Sequence, residues 1–458
     1  MADQETQLLV GIDVGTTLTK AAVVSSDGRE LAWGQSPTPW RAVATGAECD
    51  PAHLMEAVLA ALAGALEHTP PGRVAGLGVT SMAETVVYLG ADGSPVAPCI
   101  AWHDTRGGAE ADDLDRVFGW AAFSERTGLK PSRFSTLVKL AWLERHEGIR
   151  PRRALCIADW LVHSLGGEAL CEASLASRTG ALSLASRSWW AEGLEWAGAA
   201  PDLLAPVVQA GQRAGTVPAG GPLGTPTLAR LAGAAVSSAG HDHLCAAAGA
   251  GATGPAQVLN SCGTAEALVR ASPPLNGPSV AVALGAGLSV GWHTVPGRYA
   301  LLAGHSLGLL LDRVLRLVGI SGRGAVEVLD GSALSVEPGL LRVVQGGPYD
   351  EPSIVGLHAE VSPAALWSAA LDAVTANAPR TIRAMDAVAG PADELVLSGG
   401  WAHCAGLRRR KAGLLPVVRW PAVVEAGARG AALFGGMAAG IFSGPSDFPL
   451  PADQPWGA

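Results

Sequence analysis

The 458-residue sequence predicts an α/β protein in which two duplicated domains flank a cleft, and three observations carry that expectation. The segment from Leu8 to Val24 sets an acid, a polar turn and a cation between two apolar runs. From Gln257 to Arg270 a second segment repeats the plan of apolar run, Gly-Thr turn and apolar run. Composition supplies the third observation. With 48% hydrophobic residues, only 16% charged ones and 59 glycines, the chain suits close-packed α/β layers and not disorder. At about three times the usual domain length it has room for two or three domains with an ample core.

The opening segment reads as strand, turn, strand. Residues 8–12 and 21–24 are short and rich in Val and Ile, and the glycine and threonines between them supply turn chemistry that joins antiparallel neighbours. Such a turn points its backbone N–H groups outward. At Gly15, Thr16 and Thr17 those donors, with the two hydroxyls, can cradle phosphate oxygens. Lys20 can add a point charge, and Asp13 at the strand end can hold a hydrated Mg²⁺. An ordinary polar hairpin with a stray acid is the plain alternative. In the second copy Gly263 and Thr264 occupy the turn. Two such hairpins facing each other would grip a nucleotide's phosphate tail from both sides, which resembles the arrangement of the actin, Hsp70 and sugar-kinase-like (ribonuclease H-like) ATPases, with their duplicated domains about a catalytic cleft.

Other elements follow in chain order. Asp50 as N-cap and Pro51 at the first helical position start a helix that continues to Glu67. Val74 to Val79 reads as a buried strand. The Pro/Gly-rich stretch from Gly211 to Pro226 marks the approach to a boundary near residue 235, dividing the chain into 1–235 and 236–458. Ser362-Pro363 caps a long helix through about Met385, and Glu394–Leu397 is a short strand delivering Ser398-Gly399-Gly400 to a turn. Glycines there let backbone approach a flat ligand such as adenine.

Between the strand at 74–79 and residue 106 lie Met82, Ala83, Glu84, Trp102, Asp104 and Arg106. Carboxylates accept from vicinal hydroxyls, Arg donates in a fixed fork, and an indole covers the apolar face of a carbohydrate, so this mixture suits polyol recognition. The bland alternative is a structural Asp104–Arg106 ion pair with Trp102 in the core. Asp242 follows a β-like Ala-Ala-Val-Ser-Ser run and opens an Ala-rich helix, where a carboxylate can take a proton from an attacking hydroxyl. It can equally be a simple N-cap. A metal role for His241-Asp242-His243 is weakened because adjacent positions on an extended chain point apart.

Charge and cysteine usage exclude other classes. A net charge of −9 disfavours nucleic acid and anionic membrane as partners. The one basic run, Arg408-Arg409-Arg410-Lys411, reads as a solvated helix face. Seven scattered cysteines without a C-x-x-C pair fit reduced thiols in the cytoplasm. The longest apolar stretch, Val280 to Trp292, is too short and glycine-broken to span a bilayer. Gly249-Ala-Gly251-Ala-Thr-Gly254 has the G-x-G-x-x-G spacing of a dinucleotide oxidoreductase. It follows a helical run instead of a strand, so a helix-packing or C-cap role fits better.

Together these residues resemble the FGGY family of carbohydrate kinases over about residues 7–440. The most specific match is Phe134-Ser-Thr136-Leu-Val-Lys139-Leu-Ala-Trp142-Leu143, which fits the family's aromatic-x-Ser/Thr-x-x-Lys-apolar-x-Trp-apolar signature. Asp13-Val-Gly-Thr-Thr-x-x-Lys20 looks like its first phosphate motif and Gly263-Thr264 like the second. Gly399-Gly400, with Glu425-Ala-Gly-Ala-Arg-Gly430, is similar to its adenosine region. The resemblance implies ATP and Mg²⁺ as cofactors, Asp242 as general base, and a small sugar (ketose) or polyol held by Met82, Glu84, Trp102, Asp104, Arg106 and Phe134. A nucleotide-binding regulator or weak ATPase on the same fold is the rival reading, and a homodimer is left open. Departures blur the substrate. Glycerol kinases carry Arg-Glu at Ala83-Glu84 and Tyr at Phe134, xylulokinases carry Met-His-Gly at Met82-Ala83-Glu84, and the 343–352 loop is shorter than usual.

Overall fold

The structure is a computed structural model that describes residues 7–220, 226–345, 351–357 and 361–454. Part of the proline- and glycine-rich stretch (221–225) and half of the short loop (346–350) therefore lie outside the described residues. The first sheet is built from β1 (Leu8–Val14), β2 (Leu18–Ser25), β3 (Glu30–Pro37), β4 (Val74–Ser81), β5 (Gly215–Thr216) and β6 (Ala235–His241). The second uses β7 (Gln257–Cys262), β8 (Ala265–Ser272), β9 (Ser289–Trp292), β10 (Tyr299–Ser306), β11 (Glu394–Ser398) and β12 (Val417–Arg419). Their orders are β5-β6-β4-β1-β2-β3 and β9-β10-β8-β7-β11-β12.

The duplication is visible in the pairing. In the first sheet β1 runs antiparallel to β2, β2 antiparallel to β3, and β1, β4 and β6 parallel to one another. The second sheet repeats this with β7, β8, β10, β11 and β12 in the same places. Both Gly-Thr turns thus join the first antiparallel pair of their sheet. β6, which begins at the division expected near residue 235, pairs with β4 in the first sheet and leads directly into α3 (Asp242–Gly249).

Helices cover the sheets: α1 (Pro51–Glu67), α2 (Thr136–Trp142), α3 (Asp242–Gly249), α4 (Gly308–Leu317), α5 (Pro363–Thr375), α6 (Ala378–Ala389), α7 (Ala405–Lys411) and α8 (Ala426–Ala438). Asp50 caps α1 as expected, its carboxylate accepting from the Ala52 N–H at 2.8 Å. The single helix anticipated from Ser362 to Met385 is two. Pro379 lacks an N–H and is tolerated only near a helix start, so α5 stops and α6 begins around it. Among the described residues no helix is long and apolar enough to cross a membrane.

Strand alternation sorts β1 between two layers. Val10, Ile12 and Val14 join Leu54 and Val58 of α1 in the main core, while Leu9 packs with Ala428 and Ala432 of α8 on the opposite face. Gly11 shares that second face. A Cβ there would lie 1.8 Å from the Ala428 carbonyl oxygen, and one on Gly78 would lie 1.9 Å from that of Ala431. Only bare backbone allows α8, from the far end of the chain, to lie this close to the first sheet. Gly249 makes a similar approach, a Cβ there falling 1.9 Å from the Ala426 carbonyl oxygen, which is the helix-packing role anticipated for the G-x-G-x-x-G spacing. We expect Gly11→Val to cost about 1–3 kcal/mol or more through overpacking, read as a lowered denaturation midpoint with an unchanged m-value.

Candidate active site

Period-2 alternation puts Asp13 on the same face of β1 as Gly11, so its carboxylate meets the first turn of α8. A Cβ on Gly427 would fall 2.2 Å from Asp13 Oδ2. Asp13 Oδ1 is buried and without a hydrogen-bond partner among the described residues. Burial, then the charge of Asp242, push its carboxyl up to about 7; Glu425 adds to this and Lys20 opposes it. Two carboxylates from different halves of the chain thus converge here.

The turn after β1 is tight, with the Gly15 N–H donating to Leu18 O at 3.0 Å. Thr17 is exposed, as a phosphate cradle requires. Thr16 is partly committed, since its hydroxyl accepts from Trp102 Nε1 at 3.0 Å and its carbonyl from Trp40 Nε1 at 2.7 Å. Lys20 pairs across the strands with Asp13, but its ammonium is not free: it contacts Glu425 Oε2 at 2.6 Å. The point charge expected for phosphate is shared with a carboxylate 405 residues away.

Asp242 stands at the corner where β6 becomes α3. The peptide just before it is clamped on both sides. Thr80 Oγ1 donates to Gly240 O at 2.6 Å, and the His241 N–H donates to Ser174 Oγ at 2.9 Å, whose own hydroxyl donates to the buried Glu172 at 2.5 Å. The corner also brings His241, Asp242 and His243 together, their ligand atoms within 4.8 Å of one another, against the expectation that an extended chain would splay them. His241 is buried, and burial followed by His243, Arg178 and His293 drives its pKa well down, so the ring is neutral. It lies 3.2 Å from Asp242 Oδ1.

The second glycine turn is matched by close approaches. Thr264 O accepts from Leu309 N at 3.1 Å in the first turn of α4, and a Cβ on Gly308 would lie 2.5 Å from Gly263 O. Gly399 has φ +93, a conformation natural to glycine, and sits where a Cβ would strike Cys262 O at 2.6 Å. Gly263, Thr264, Gly399 and Gly400 therefore share one neighbourhood, beside Trp401.

The polyol constellation divides. Glu84 and Phe134 line a cleft of about 280 Å³ together with Arg178 from the first half and Ser289, Leu302 and Gly304 from the second. Trp102 is half-buried, with its ring 6.3 Å from that of Phe134. Asp104 and Arg106 do not face this cleft. Asp104 is fully buried, both its oxygens are engaged by the Arg106 guanidinium at 2.8 and 3.0 Å, and Arg106 continues to Glu48 at 2.8 Å. Their two-residue spacing around a turn favours this internal pair, and the substrate role expected of them is corrected. Met82 is corrected too, because its side chain is 2% exposed and belongs to the main core. Lys139 of the signature segment is fully buried and donates to Ala101 O and Trp102 O at 2.5 and 3.0 Å, so it positions the Trp102 backbone. Burial lowers its pKa to about 7, opposed by the nearby carboxylates of Glu84 and Asp104.

Sequence reasoning missed Arg178 and the Glu425 partner of Lys20. Neither carries a local signal, since each acts on a residue distant in the chain. The basic run is also revised. Lys411 is fully buried against Glu266, Arg410 reaches Asp372 at 2.6 Å, and Arg408 stacks 4.1 Å from the Trp420 ring.

Two sheets of one plan, with a glycine turn from each and carboxylates from both halves at their junction, define a protein of the actin, Hsp70 and sugar-kinase fold. Comparison with known proteins narrows this. Residues 8–249 match the FGGY family of carbohydrate kinases, N-terminal domain. A xylulose kinase of Streptomyces coelicolor is 32% identical over 88% of this chain and 82% of its own length. A glycerol kinase of Citrifermentans bemidjiense is 30% identical over 95% of this chain and 91% of its own. The crystal structure of xylulose kinase from Rhodospirillum rubrum superposes with a TM-score of 0.84 at 26% identity, covering 98% of this chain and 93% of that one. The chain belongs to the FGGY family of carbohydrate kinases and is an enzyme of that class.

Proposed function

We propose that the chain transfers the γ-phosphoryl group of Mg-ATP to a hydroxyl of a small ketose or polyol, with Asp242 accepting the hydroxyl proton. The observation that carries this reading is the convergence of Asp242 on Asp13, whose buried Oδ1 has no partner among the described residues. A buried oxygen of this kind beside a second carboxylate suits a hard divalent cation, and Asp13 would hold it directly or through water. Once bound, Mg²⁺ neutralises charge on the transferring phosphoryl oxygens.

The protein supplies the rest. The turns at Gly15–Thr17 and Gly263–Thr264 offer N–H groups to the phosphate tail, and Gly399–Gly400 leave room for the adenosine. Glu84, Phe134 and Trp102 present the acceptor sugar. As the new O–P bond forms and the bond to ADP breaks, the hydroxyl proton passes to Asp242. The Thr80 and Ser174 clamps keep that carboxylate aimed. All seven cysteines are free and six of them are buried, which supports a cytoplasmic site of action.

ADP release with Mg-ATP against pentuloses, hexuloses, tetritols, pentitols and glycerol tests the reading, with Asp242→Ala as the blank. At least one acceptor should raise ADP release well above the blank. Silence across the panel together with sugar-independent ATP turnover would instead establish the ATPase alternative.

A further inference from the structure

Glu84 is one of two non-glycine residues with positive φ among those described, at φ 63. Such a conformation is costly for a residue bearing a Cβ and persists only where the surroundings over-determine it, which is why these outliers cluster at functional sites. Here the surroundings do so. Thr136 Oγ1 donates to the Glu84 carbonyl at 3.0 Å, and Arg178 holds Glu84 Oε1 through Nε at 2.7 Å and Nη2 at 2.6 Å. The remaining guanidinium nitrogen donates to Ser289 Oγ at 2.9 Å, on β9 of the second sheet. The pair therefore stands where the two halves meet across the cleft. A smaller void lined by Arg178, Ser289 and His241 adjoins it and leads to the corner that carries Asp242.

We propose that the Glu84–Arg178 pair sets the specificity of this cleft, admitting an uncharged polyhydroxylated chain and rejecting one that ends in a carboxylate. The inference rests on the reading that the cleft holds the phosphoryl acceptor. Glu84 Oε2 has no hydrogen-bond partner among the described residues and can accept from a hydroxyl, while Arg178 retains one further N–H on each terminal nitrogen beyond those given to Glu84 and Ser289, so a vicinal diol can find both an acceptor and a donor at the pair. The charges of the pair cancel. Of the two cations that line the cleft among the described residues, Arg178 is already matched by Glu84, and an incoming carboxylate must approach Glu84 in a partly desolvated site, where like charges are strongly disfavoured. Lys130 also lines the cleft, but it is exposed and its charge is screened by solvent.

The test is direct binding, followed by tryptophan fluorescence with calorimetry as a second readout, of xylulose and xylitol against xylonate. Native protein and Glu84→Gln are compared, and a thermal melt of each establishes that both are folded. The native protein should prefer the uncharged ligands by about tenfold or more, and Glu84→Gln should shrink or invert that ratio. Arg178→Gln should weaken the uncharged ligands while leaving the fold intact. Xylonate binding as tightly as xylulose, a ratio unmoved in Glu84→Gln, or binding of neither class would overturn the proposal. Failure here is distinguishable from failure of the kinase reading. Asp242-dependent phosphorylation of xylonate at the rate of the uncharged sugars would refute only the specificity, whereas the predicted binding ratio without any phosphoryl transfer would refute only the transfer.

Discussion

Replacing Asp242 with alanine should cut turnover by about 10²–10⁴-fold while ATP binds with near-native affinity. The range is what a positioned general base contributes to proton transfer. The loss should fall on kcat and on kcat/KM for the sugar alike, because the missing interaction belongs to the transition state more than to either bound substrate. The side chain is partly exposed at the start of α3, so its removal leaves the core untouched and the melting temperature should stay close to native. Steady-state kinetics beside equilibrium nucleotide binding separate the two effects. Near-native turnover would remove Asp242 from the chemistry.

The second large effect concerns Lys411. Its ammonium is fully buried between Asn260 Oδ1 and Glu266 Oε1, and Asn260 Nδ2 closes the triangle onto Glu266 at 2.9 Å. Lys411→Met would strand a buried carboxylate without its cation, which costs about 3–5 kcal/mol. Asn260 and Glu266 flank the Gly263–Thr264 turn on β7 and β8, so nucleotide affinity should fall with stability. Adding Glu266→Leu should restore most of the stability, since removing both charges is far cheaper than removing one. A denaturant titration of the single and double variants checks this, and a double variant no more stable than the single one would contradict it.

Much of the architecture was legible because it is written in local patterns. The two apolar–turn–apolar segments gave both leading hairpins and their equivalence, and Asp50-Pro51 gave the start of α1 through capping chemistry. The helix after Ser362 was overextended, because its apolar periodicity continues past Pro379 and only the missing N–H ends it. The position of α8 on the first sheet could not be read locally. It depends on Gly11 and Gly78 meeting a helix that begins some 350 to 415 residues later in the chain.

The site was legible to the extent that it is backbone-built. Turns at Gly15–Thr17, Gly263–Thr264 and Gly399–Gly400 fell where the motifs put them. Charged side chains were harder to place, because a sequence lists charges without their partners. Asp104 and Arg106 neutralise each other, Lys20 turns to Glu425, Lys411 is buried where a solvated face was expected, and Arg178 emerges from an unremarkable stretch to hold Glu84. The Asp104–Arg106 pair is local and the sequence offers it as the plain alternative, whereas for Lys20, Lys411 and Arg178 the deciding contact is with a residue distant in the chain.

The most direct measurement is the fate of the γ-phosphoryl group. ATP labelled at that position is mixed with Mg²⁺, native protein and the best acceptor from the panel, and the products are separated into sugar phosphate and inorganic phosphate. The account predicts label on the sugar, in proportion to ADP formed and lost in Asp242→Ala. Label appearing only as inorganic phosphate, at a rate indifferent to the sugar, would contradict it.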